Sequence, residues 1–216
     1  MRWVTVWTAH CSVLALAAAQ GAAPPALAQV PARTLLVVGD SLSAEYGLAR
    51  GQGWVALLEK RMAQQQVGYK VVNASVSGDT TSGGRSRLAA LLREHRPQVV
   101  LLELGGNDAL RGLPLAMTEA NLVAMARMAK DAGARVLVAG VAVPPNYGRK
   151  YGEEFVALFV KVAQAESTAL VPFILAGVAD AADVEAMFQS DRIHPKAEAQ
   201  PRILENVWPV LRPLLR

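Results

Sequence analysis

Three residues of this chain have the types and the order that nucleophilic catalysis on an acyl group requires. Ser41 follows an apolar run, and Asp191 and His194 stand three positions apart near the other end of the chain. A serine hydroxyl is a weak nucleophile that needs a neighbouring base, and an imidazole serves as that base when a carboxylate orients it. We therefore predict Ser41 as nucleophile, His194 as general base and Asp191 as the residue that holds the imidazole.

Each of these residues also has a purely structural interpretation. Ser41 could be a helix N-cap, a position that serine fills well, and Ser43 is a rival nucleophile with the same alternative. Asp191 could cap a final helix that begins at Pro195, because proline is favoured in the first helical turn. Position 43 is serine rather than glycine, so the G-x-S-x-G turn of ordinary α/β-hydrolases is absent and that fold is not supported.

Acyl transfer also needs hydrogen-bond donors aimed at the oxygen on which negative charge develops. The candidates are the backbone N–H of Gly78, the side-chain amide of Asn107 and the backbone N–H of Ser41. Gly78 and Asn107 both lie in stretches of turn-forming composition, so loop formation is the alternative. The neighbouring acidic and amide residues are expected to brace loops rather than to touch a substrate: Asp40, Asn73, Asp79 and Asp108.

Histidine and cysteine are scarce, which limits other mechanisms. The chain has three histidines and one cysteine, and His10 and Cys11 fall in the first segment, which leaves His95 and His194. His95 stands at the end of a predicted helix, where we expect a solvated residue favoured by the helix dipole. No histidine pair accompanies the carboxylates and no EF-hand spacing occurs, so we predict no metal.

The first 28 residues have the order of a secretory signal peptide. A short positive start precedes an apolar run over residues 13–19, and Ala26-Leu27-Ala28 is a small-residue cleavage site. A membrane anchor is the alternative, but the run is short and prolines follow it. We predict cleavage after Ala28, a single domain over residues 29–216, and export to the periplasm or the medium of a bacterium. No stable membrane insertion is expected after cleavage.

The charged residues give little sign of a macromolecular partner. The net charge is +4 at pH 7, and the Lys and Arg residues are scattered in ones and twos. No basic stripe interleaved with aromatic residues occurs, so nucleic acid is not an expected partner. The loop after the first apolar run lacks G-x-G-x-x-G spacing, which disfavours a nucleotide-binding domain. With no charge run or apolar helix face that requires a partner, we expect a monomer.

Short apolar runs alternate with longer segments of helical period, which predicts an α/β fold. Candidate strands cover residues 34–38, 70–73, 99–104, 135–139 and, more weakly, 169–172. Continuous Val and Leu runs are typical of strands buried on both faces of a parallel sheet. Helical periodicity covers residues 54–65, 86–94, 118–131, 151–167 and 195–214. This alternation favours right-handed βαβ units in one three-layer domain.

Three clusters of candidate site residues directly follow the first three predicted strands, and the fourth follows the last, weaker strand and a helix. In an open parallel sheet, the loops at the carboxyl ends of the strands share one edge, where ligands bind. Any one polar, glycine-rich cluster would be a weak signal, but several in step with the strands are a stronger one. We expect four such clusters to meet at this edge: residues 39–43, 73–80, 105–108 and 191–195.

With these four blocks in order, the chain resembles the SGNH (GDSL-like) hydrolase superfamily. More narrowly, it is similar to the bacterial periplasmic thioesterase I, lysophospholipase and arylesterase group. The blocks read GDSLSAEYG, NASVSGDTTSGG, GGND and DRIHP, and the resemblance extends from about Thr34 to Trp208. It implies a flavodoxin-like three-layer α/β/α fold with a mostly parallel five-stranded sheet. It also implies a triad of Ser41, His194 and Asp191, with Ser41, Gly78 and Asn107 as oxyanion donors.

The same resemblance implies hydrolysis of small acyl esters and thioesters through an acyl-enzyme intermediate, without a cofactor. A carbohydrate O-acetylesterase on this scaffold is the second candidate, although aromatic residues for sugar stacking make up only 6% of the chain. A non-catalytic periplasmic binding module is the third, but it would need no nucleophile and base. Glu45 departs from the small residue frequent at its position, which leaves the pocket mouth undefined. Candidate residues of the substrate pocket are Leu42, Tyr46, Leu110, Pro145 and Tyr147.

Overall fold

The computed structural model describes Met1, Trp3 and residues 33–216 of the chain. None of the helices in this part is both long enough and apolar enough to cross a membrane. The predicted signal peptide, its cleavage point after Ala28 and the single cysteine lie outside the described residues. Removal of the first segment therefore stays a prediction.

Within residues 33–216, five strands form one sheet. They are β1 Arg33–Gly39, β2 Tyr69–Asn73, β3 Val99–Glu103, β4 Arg135–Ala139 and β5 Ala169–Val171. Their order is β2-β1-β3-β4-β5, and every pairing is parallel. This is the doubly wound order in which ligands bind beyond the carboxyl ends of the strands. The predicted α/β fold, with its parallel sheet and all five strands, is confirmed.

Helices flank the sheet and complete the three layers. They are α1 Trp54–Gln64, α2 Thr81–His95, α3 Gly106–Leu110, α4 Leu115–Asp131, α5 Arg149–Glu166, α6 Val184–Met187 and α7 Gln200–Leu211. Helix α1 packs against α7, whereas α4 packs against both α2 and α5. Short 3-10 turns cover Pro145–Tyr147, Ala197–Ala199 and Arg212–Leu215.

The centre of the sheet is apolar except at one position. Strand β3 lies between β1 and β4, and all five of its residues are buried. Burial of a Val or Leu side chain contributes about 1.5–3 kcal/mol, so four of these residues stabilise the sheet. The fifth is Glu103, which is 0% exposed and pairs in register with Gly39 at the end of β1. A buried carboxyl at this place requires a specific explanation, because burial of an unpaired charge is costly.

Helix α2 begins earlier than the periodicity predicted, at Thr81 rather than at residue 86. Thr80 caps it, since its side chain accepts the Gly83 N–H at 3.2 Å. Gly83 and Gly84 concealed this first turn, because glycine has a low helix propensity. Gly84 is needed there, since a Cβ atom would overlap the Leu104 side chain.

The final helix begins later than predicted. Pro195 does not start it, because that residue forms an antiparallel bridge with Phe188, and α7 begins only at Gln200. The residues that carry Asp191 and His194 are therefore a loop. Helix α4 starts three residues before its predicted position. The short helices α3 and α6 were not predicted, because one helical turn holds too few residues for a periodic pattern.

The edge of the sheet where the strands begin is braced by an ion-pair cluster. Glu166, at the end of α5, is 3% exposed and accepts from Lys130 Nζ at 2.8 Å and from Arg127 Nε at 2.7 Å. The hydrogen bond from Lys130 is the main cause that lowers the pKa of Glu166. His95 ends α2 and its side chain is 23% exposed, so it is half-buried rather than fully solvated as predicted.

Candidate active site

Ser41 lies in the turn that directly follows β1. The Asp40 carbonyl closes this turn by accepting the N–H groups of Ser43 and Ala44 at 3.2 and 3.0 Å. The Ser41 Oγ atom lies 2.8 Å from His194 Nε2. Ser41 is the N-cap of none of the described helices. Its hydroxyl contacts His194 instead of capping a helix.

Ser43, the rival nucleophile, points the other way. It is 1% exposed, and its hydroxyl donates to Glu103 Oε2 at 2.7 Å. A hydroxyl that is buried and faces a carboxyl group beneath the sheet edge cannot reach a substrate at the surface. The structure therefore favours Ser41 over Ser43.

Asp191 orients His194 and caps the turn that contains it. His194 Nδ1 lies 2.6 Å from Asp191 Oδ2, and Asp191 Oδ1 accepts the backbone N–H groups of Ile193 and His194 at 3.0 Å each. Partial burial raises the pKa of Asp191, but these hydrogen bonds outweigh burial and hold the pKa at about 2. An ionised carboxylate beside Nδ1 favours the proton on that nitrogen, which leaves the Nε2 lone pair facing Ser41.

The three candidate oxyanion donors follow β1, β2 and β3: Ser41 and Gly78 lie in loops, and Asn107 lies in the short helix α3. Gly78 has a φ of 78°, in the left-handed region that favours glycine, and its carbonyl accepts from Arg111 Nη2 at 2.8 Å. Within the described residues, neither the Gly78 N–H nor the Ser41 N–H donates to a protein acceptor. Both donors are therefore available to a ligand. Arg111 was not predicted, although it follows the GGND block closely.

The Asn107 amide is held by the residue that precedes Ser41. Asn107 Nδ2 donates to Asp40 Oδ2 at 3.0 Å, while Asp40 Oδ1 accepts the Leu42 N–H at 3.1 Å. The amide nitrogen has two hydrogens, so one stays free for a ligand while the other is held. Asp40 is 2% exposed, and burial is the main cause that raises its pKa to about 6.

Glu103 is a second buried carboxyl group beneath the same turn. Its Oε2 accepts from Ser43 Oγ at 2.7 Å and from the Asp40 N–H at 3.4 Å. Burial first, and the charge of Asp40 second, raise the pKa of Glu103 well above its usual range. Sequence reasoning gave Glu103 no role, although a lone charged residue in a buried Val and Leu strand was a visible signal.

The other acidic and amide residues near the site brace loops, as predicted. Asn73 Nδ2 donates to the Ser43 carbonyl at 2.7 Å, and Asp79 Oδ2 accepts from Arg87 Nε at 2.8 Å. Asp108 is 0% exposed and accepts the backbone N–H of Thr81 at 2.8 Å, which joins α3 to the start of α2. The Gly78 loop and the Asn107 helix are therefore fixed to one another.

The loop that carries His194 is fixed to the turn after Ser41. Tyr46 places its ring 4.3 Å from the His194 ring, centroid to centroid. Gln189 Nε2 donates to the Tyr46 carbonyl at 2.9 Å, and the Gln189 N–H donates to the His194 carbonyl at 2.8 Å. Gln189 was not predicted, because a single glutamine in a loop has no sequence pattern that marks it.

The predicted pocket residues differ in their surroundings. Tyr46 is 50% exposed beside His194, and Leu110 is 39% exposed at the end of α3. Leu42 is half-buried and packs against the core, while Tyr147 stacks on Tyr151 at 6.1 Å. Pro145 begins the 3-10 turn Pro145–Tyr147. Tyr46 contacts the His194 ring, and the pocket roles of all five residues stay predictions.

The loop after β4 borders a cavity of about 630 Å³. Apolar side chains make up much of its lining, with one ion pair between Arg149 and Glu153. The lining includes Val143 and Pro144, which directly precede the candidate pocket residue Pro145, but not Ser41 or His194. Glu45, the departure noted in the sequence, turns its carboxylate to the N–H groups of Gly51 and Gly53 and so braces its own loop.

No group of three or more His, Cys, Asp or Glu side chains that could hold a metal occurs among the residues that the structure describes. A hydroxyl, an imidazole and a carboxylate joined in a line, beside free N–H donors, form an arrangement suited to acyl transfer rather than to metal binding. On a doubly wound sheet, this arrangement is that of an ester hydrolase of the SGNH type, not of an ordinary α/β-hydrolase.

Comparison with known proteins agrees with that class. Residues 37–201 match the model of the GDSL-like Lipase/Acylhydrolase family. The chain is 56% identical over 187 residues to Esterase TesA of Pseudomonas aeruginosa, with 87% of this chain and 92% of the relative covered. It is 42% identical over 173 residues to an arylesterase of Vibrio mimicus, with 80% and 85% covered. It is also 42% identical over 184 residues to the thioesterase 1/protease 1/lysophospholipase L1 of Escherichia coli, with 85% and 86% covered.

A solved structure extends the agreement to three dimensions. The crystal structure of TesA matches with a TM-score of 0.82 at 56% identity, over 84% of this chain and 99% of that chain. The chain belongs to the GDSL-like lipase/acylhydrolase family and is an ester hydrolase. The predicted superfamily and enzyme class are confirmed, and the alternative of a non-catalytic binding module is wrong.

Proposed function

We propose that the chain is a serine esterase in which Ser41, His194 and Asp191 form the catalytic triad. The observation that carries this proposal is the continuous line from Ser41 Oγ to His194 Nε2 at 2.8 Å and from His194 Nδ1 to Asp191 Oδ2 at 2.6 Å. A nucleophile in hydrogen-bond reach of a base, with the base oriented by a third group, is the diagnostic arrangement of nucleophilic catalysis.

In the first step, the Ser41 oxygen attacks the acyl carbonyl carbon while His194 Nε2 takes the hydroxyl proton. The imidazolium that forms is stabilised by the ionised Asp191 at Nδ1. When the tetrahedral intermediate collapses, the bond to the leaving group breaks and His194 returns its proton to that group. The product of this step is an acyl ester of Ser41.

The negative charge on the carbonyl oxygen is stabilised by the N–H groups of Ser41 and Gly78 and by the amide of Asn107. Support comes from the absence of protein acceptors for the two backbone groups among the described residues and from the fixed position of the amide on Asp40. Donors held in place before the reaction stabilise the transition state without reorganisation, and each is worth on the order of 10²–10³ in kcat.

In the second step, His194 removes a proton from water, which attacks the acyl carbon. The tetrahedral intermediate uses the same donors, and its collapse releases the carboxylic acid and restores the Ser41 hydroxyl. No cofactor is needed, because each proton is exchanged between His194 and the reacting groups.

We infer that the substrates are acyl esters and thioesters of the kind that arylesterases, acyl-thioesterases and lysophospholipases hydrolyse. The names of the similar proteins support this range. The N-terminal pattern supports export with cleavage after Ala28, and a monomer remains the expectation from the surface charge.

The test is hydrolysis of p-nitrophenyl esters of increasing acyl length by residues 29–216, beside Ser41→Ala and His194→Ala variants. Matched controls are Ser86→Ala, which removes an exposed serine hydroxyl, and His95→Ala, which removes the histidine at the far edge of the sheet. We expect both site variants to fold and to lose most turnover, while both controls keep it. Turnover that survives in folded Ser41→Ala would overturn the proposal.

The acyl-length profile separates the substrate classes. A maximum at medium or long chains supports the acyl esterase and thioesterase range. Turnover confined to acetyl esters, with deacetylation of acetylated sugars, would instead establish the carbohydrate esterase that the sequence left as an alternative.

A further inference from the structure

The feature that the proposed mechanism does not use is the buried carboxyl group of Glu103. It stands at the end of the central strand β3, where it is 0% exposed. One of its oxygens, Oε2, accepts from Ser43 Oγ at 2.7 Å and from the Asp40 N–H at 3.4 Å. Gly39 makes this approach possible, because a Cβ atom there would lie 2.8 Å from Oε2.

The other oxygen of Glu103 has no such support. Oε1 is buried and has no hydrogen-bond partner among the described residues. A carboxylate with one bare oxygen inside an apolar sheet is strongly disfavoured, whereas the neutral acid keeps both contacts of Oε2 and carries no buried charge.

The charged groups around Glu103 and Asp40 also favour a protonated Glu103. Glu103 faces Asp40, which is itself 2% exposed, and no cation neutralises Glu103 among the residues that raise or lower its pKa. Asp40 accepts hydrogen bonds from the Asn107 amide and the Leu42 N–H. Its pKa is lowered by the neighbouring His194 and raised by the charge of Asp79. Two adjacent buried carboxyl groups do not both ionise readily, so one proton is retained by the pair.

We propose that Glu103 is a positioning residue that keeps a proton at the working pH and acts through Asp40 on the amide of Asn107. A neutral Glu103 leaves Asp40 as the charged member of this pair of carboxyl groups. The ionised Asp40 then holds Asn107 Nδ2 at 3.0 Å. Glu103 Oε2 also fixes the Ser41 turn, because it accepts from the Ser43 hydroxyl and from the Asp40 N–H. This inference rests on the proposed role of Asn107 as an oxyanion donor.

The protonation state can be measured without any activity. Infrared difference spectra between the native protein and Glu103→Gln at about pH 8 should contain the carbonyl band of one protonated carboxyl group, lost in the variant. Glu166→Gln is the control, because Glu166 is only 3% exposed but is paired with Lys130 and Arg127. No such band should be lost there. Absence of the band from the Glu103 difference spectrum would overturn the proposal, whatever Ser41 does.

The action through Asn107 is tested by a double-mutant cycle on kcat. Glu103→Leu should lower kcat about tenfold with KM within about twofold, and should cost less than about twofold in an Asn107→Ala background. Glu103→Gln should recover most of the loss, because it restores a neutral acceptor of the same shape. Equal losses in both backgrounds would show that Glu103 does not act through Asn107.

A second variant covers failure of Glu103→Leu to fold. Ser43→Ala removes one of the two donors to Glu103. It should lower kcat less than Glu103→Leu does, and this loss should likewise shrink in the Asn107→Ala background. If Ser41→Ala keeps turnover, the proposed function fails while the infrared result still stands. If Ser41→Ala is inactive and the cycle is additive, only the role of Glu103 fails.

Discussion

Gln189 joins the nucleophile turn to the loop that carries the base. Its side-chain amide donates to the Tyr46 carbonyl at 2.9 Å and to the Pro195 carbonyl at 3.3 Å, across a sequence separation of 143 residues in the first case. Tyr46 belongs to the turn that contains Ser41, and Pro195 directly follows His194. The position of the Ser41 hydroxyl relative to the His194 ring therefore depends on these contacts. A change in this contact should therefore alter turnover more than folding.

Gly47→Ala tests this contact, and Gly51→Ala is its matched control. Both glycines have left-handed φ values, of 70° and 85°, but a Cβ atom at Gly47 would overlap the Gln189 side chain, whereas Gly51 faces open space. Each variant should lose about 1–2 kcal/mol of unfolding free energy for the backbone strain. Gly47→Ala should lose about 1–3 kcal/mol more and should also lower kcat. Urea unfolding and p-nitrophenyl ester kinetics measure the two effects.

Equal stability and equal kcat in the two glycine variants would contradict the importance of the Gln189 contact. Gln189→Ala gives an independent check, since it removes the side chain without adding backbone strain. It should lower kcat with little change in the urea midpoint.

Asn107→Ala should lower kcat by about 10²–10³ if its amide is an oxyanion donor, because one charge-stabilising hydrogen bond is lost from the transition state. KM should change little, since the donor acts on charge that develops only during the reaction. Steady-state kinetics on a single p-nitrophenyl ester measure both values. A kcat within a few-fold of native would remove Asn107 from the oxyanion hole.

Two substitutions at Asp191 separate its catalytic and structural contacts. Asn at this position can still accept the Ile193 and His194 N–H groups through its side-chain oxygen, but it no longer places a charge beside Nδ1. We expect Asp191→Asn to lower kcat by a factor on the order of 10²–10⁴ with a near-native melting temperature. Asp191→Ala should also lose about 1 kcal/mol of stability with the cap. Native turnover in Asp191→Asn would argue against a triad.

The acid limb of the activity profile should contain the titration of Asp40. Burial raises its folded-state pKa from 3.8 to about 6, so the charge that holds Asn107 is lost as the pH falls through about 6. We therefore expect kcat to fall as the pH is lowered through about 6. Asp40→Asn, which cannot titrate, should have a lower kcat and should lose a smaller fraction of it across the same range. An equal fractional loss in the native protein and in Asp40→Asn would exclude Asp40 from the acid limb.

The same pKa shift fixes the sign of a stability change. A carboxyl group whose pKa is raised by folding binds its proton more tightly in the folded state, so the stability it contributes falls as the pH rises from about 4 to about 6. Thermal unfolding across that range should show the decrease for the native protein and a weaker one for Asp40→Asn.

Expression of the full chain in a bacterium tests the export signal. We expect the exported protein to begin at Gln29, because Ala26-Leu27-Ala28 has the small residues that signal peptidase requires. Intact-mass measurement of the protein from the periplasm and the medium determines the first residue. Recovery of the full 216-residue chain from the membrane fraction would instead support the anchor that the sequence left as the alternative.

The sequence alone determined the architecture, since buried Val and Leu runs alternating with helical periods leave few options besides a parallel sheet between helix layers. It also predicted the candidate triad of Ser41, His194 and Asp191, although only the folded structure separates Ser41 from its rival Ser43. Local pattern is sufficient there, since each signal lies within a few consecutive residues. It failed at the start of α2, where Gly83 and Gly84 imitate a loop, although a Cβ atom at Gly84 would overlap the Leu104 side chain.

Only the tertiary structure decided which groups support the site. The contacts of Glu103 with Ser43, of Asn107 with Asp40 and of Gln189 with Tyr46 join residues 60, 67 and 143 positions apart. No periodicity or motif encodes such pairs, because they exist only when separate strands end at one edge of the sheet. Burial is decided at the same level: a glutamate is charged and solvated by default, and its neighbours in the folded sheet make Glu103 a buried acid.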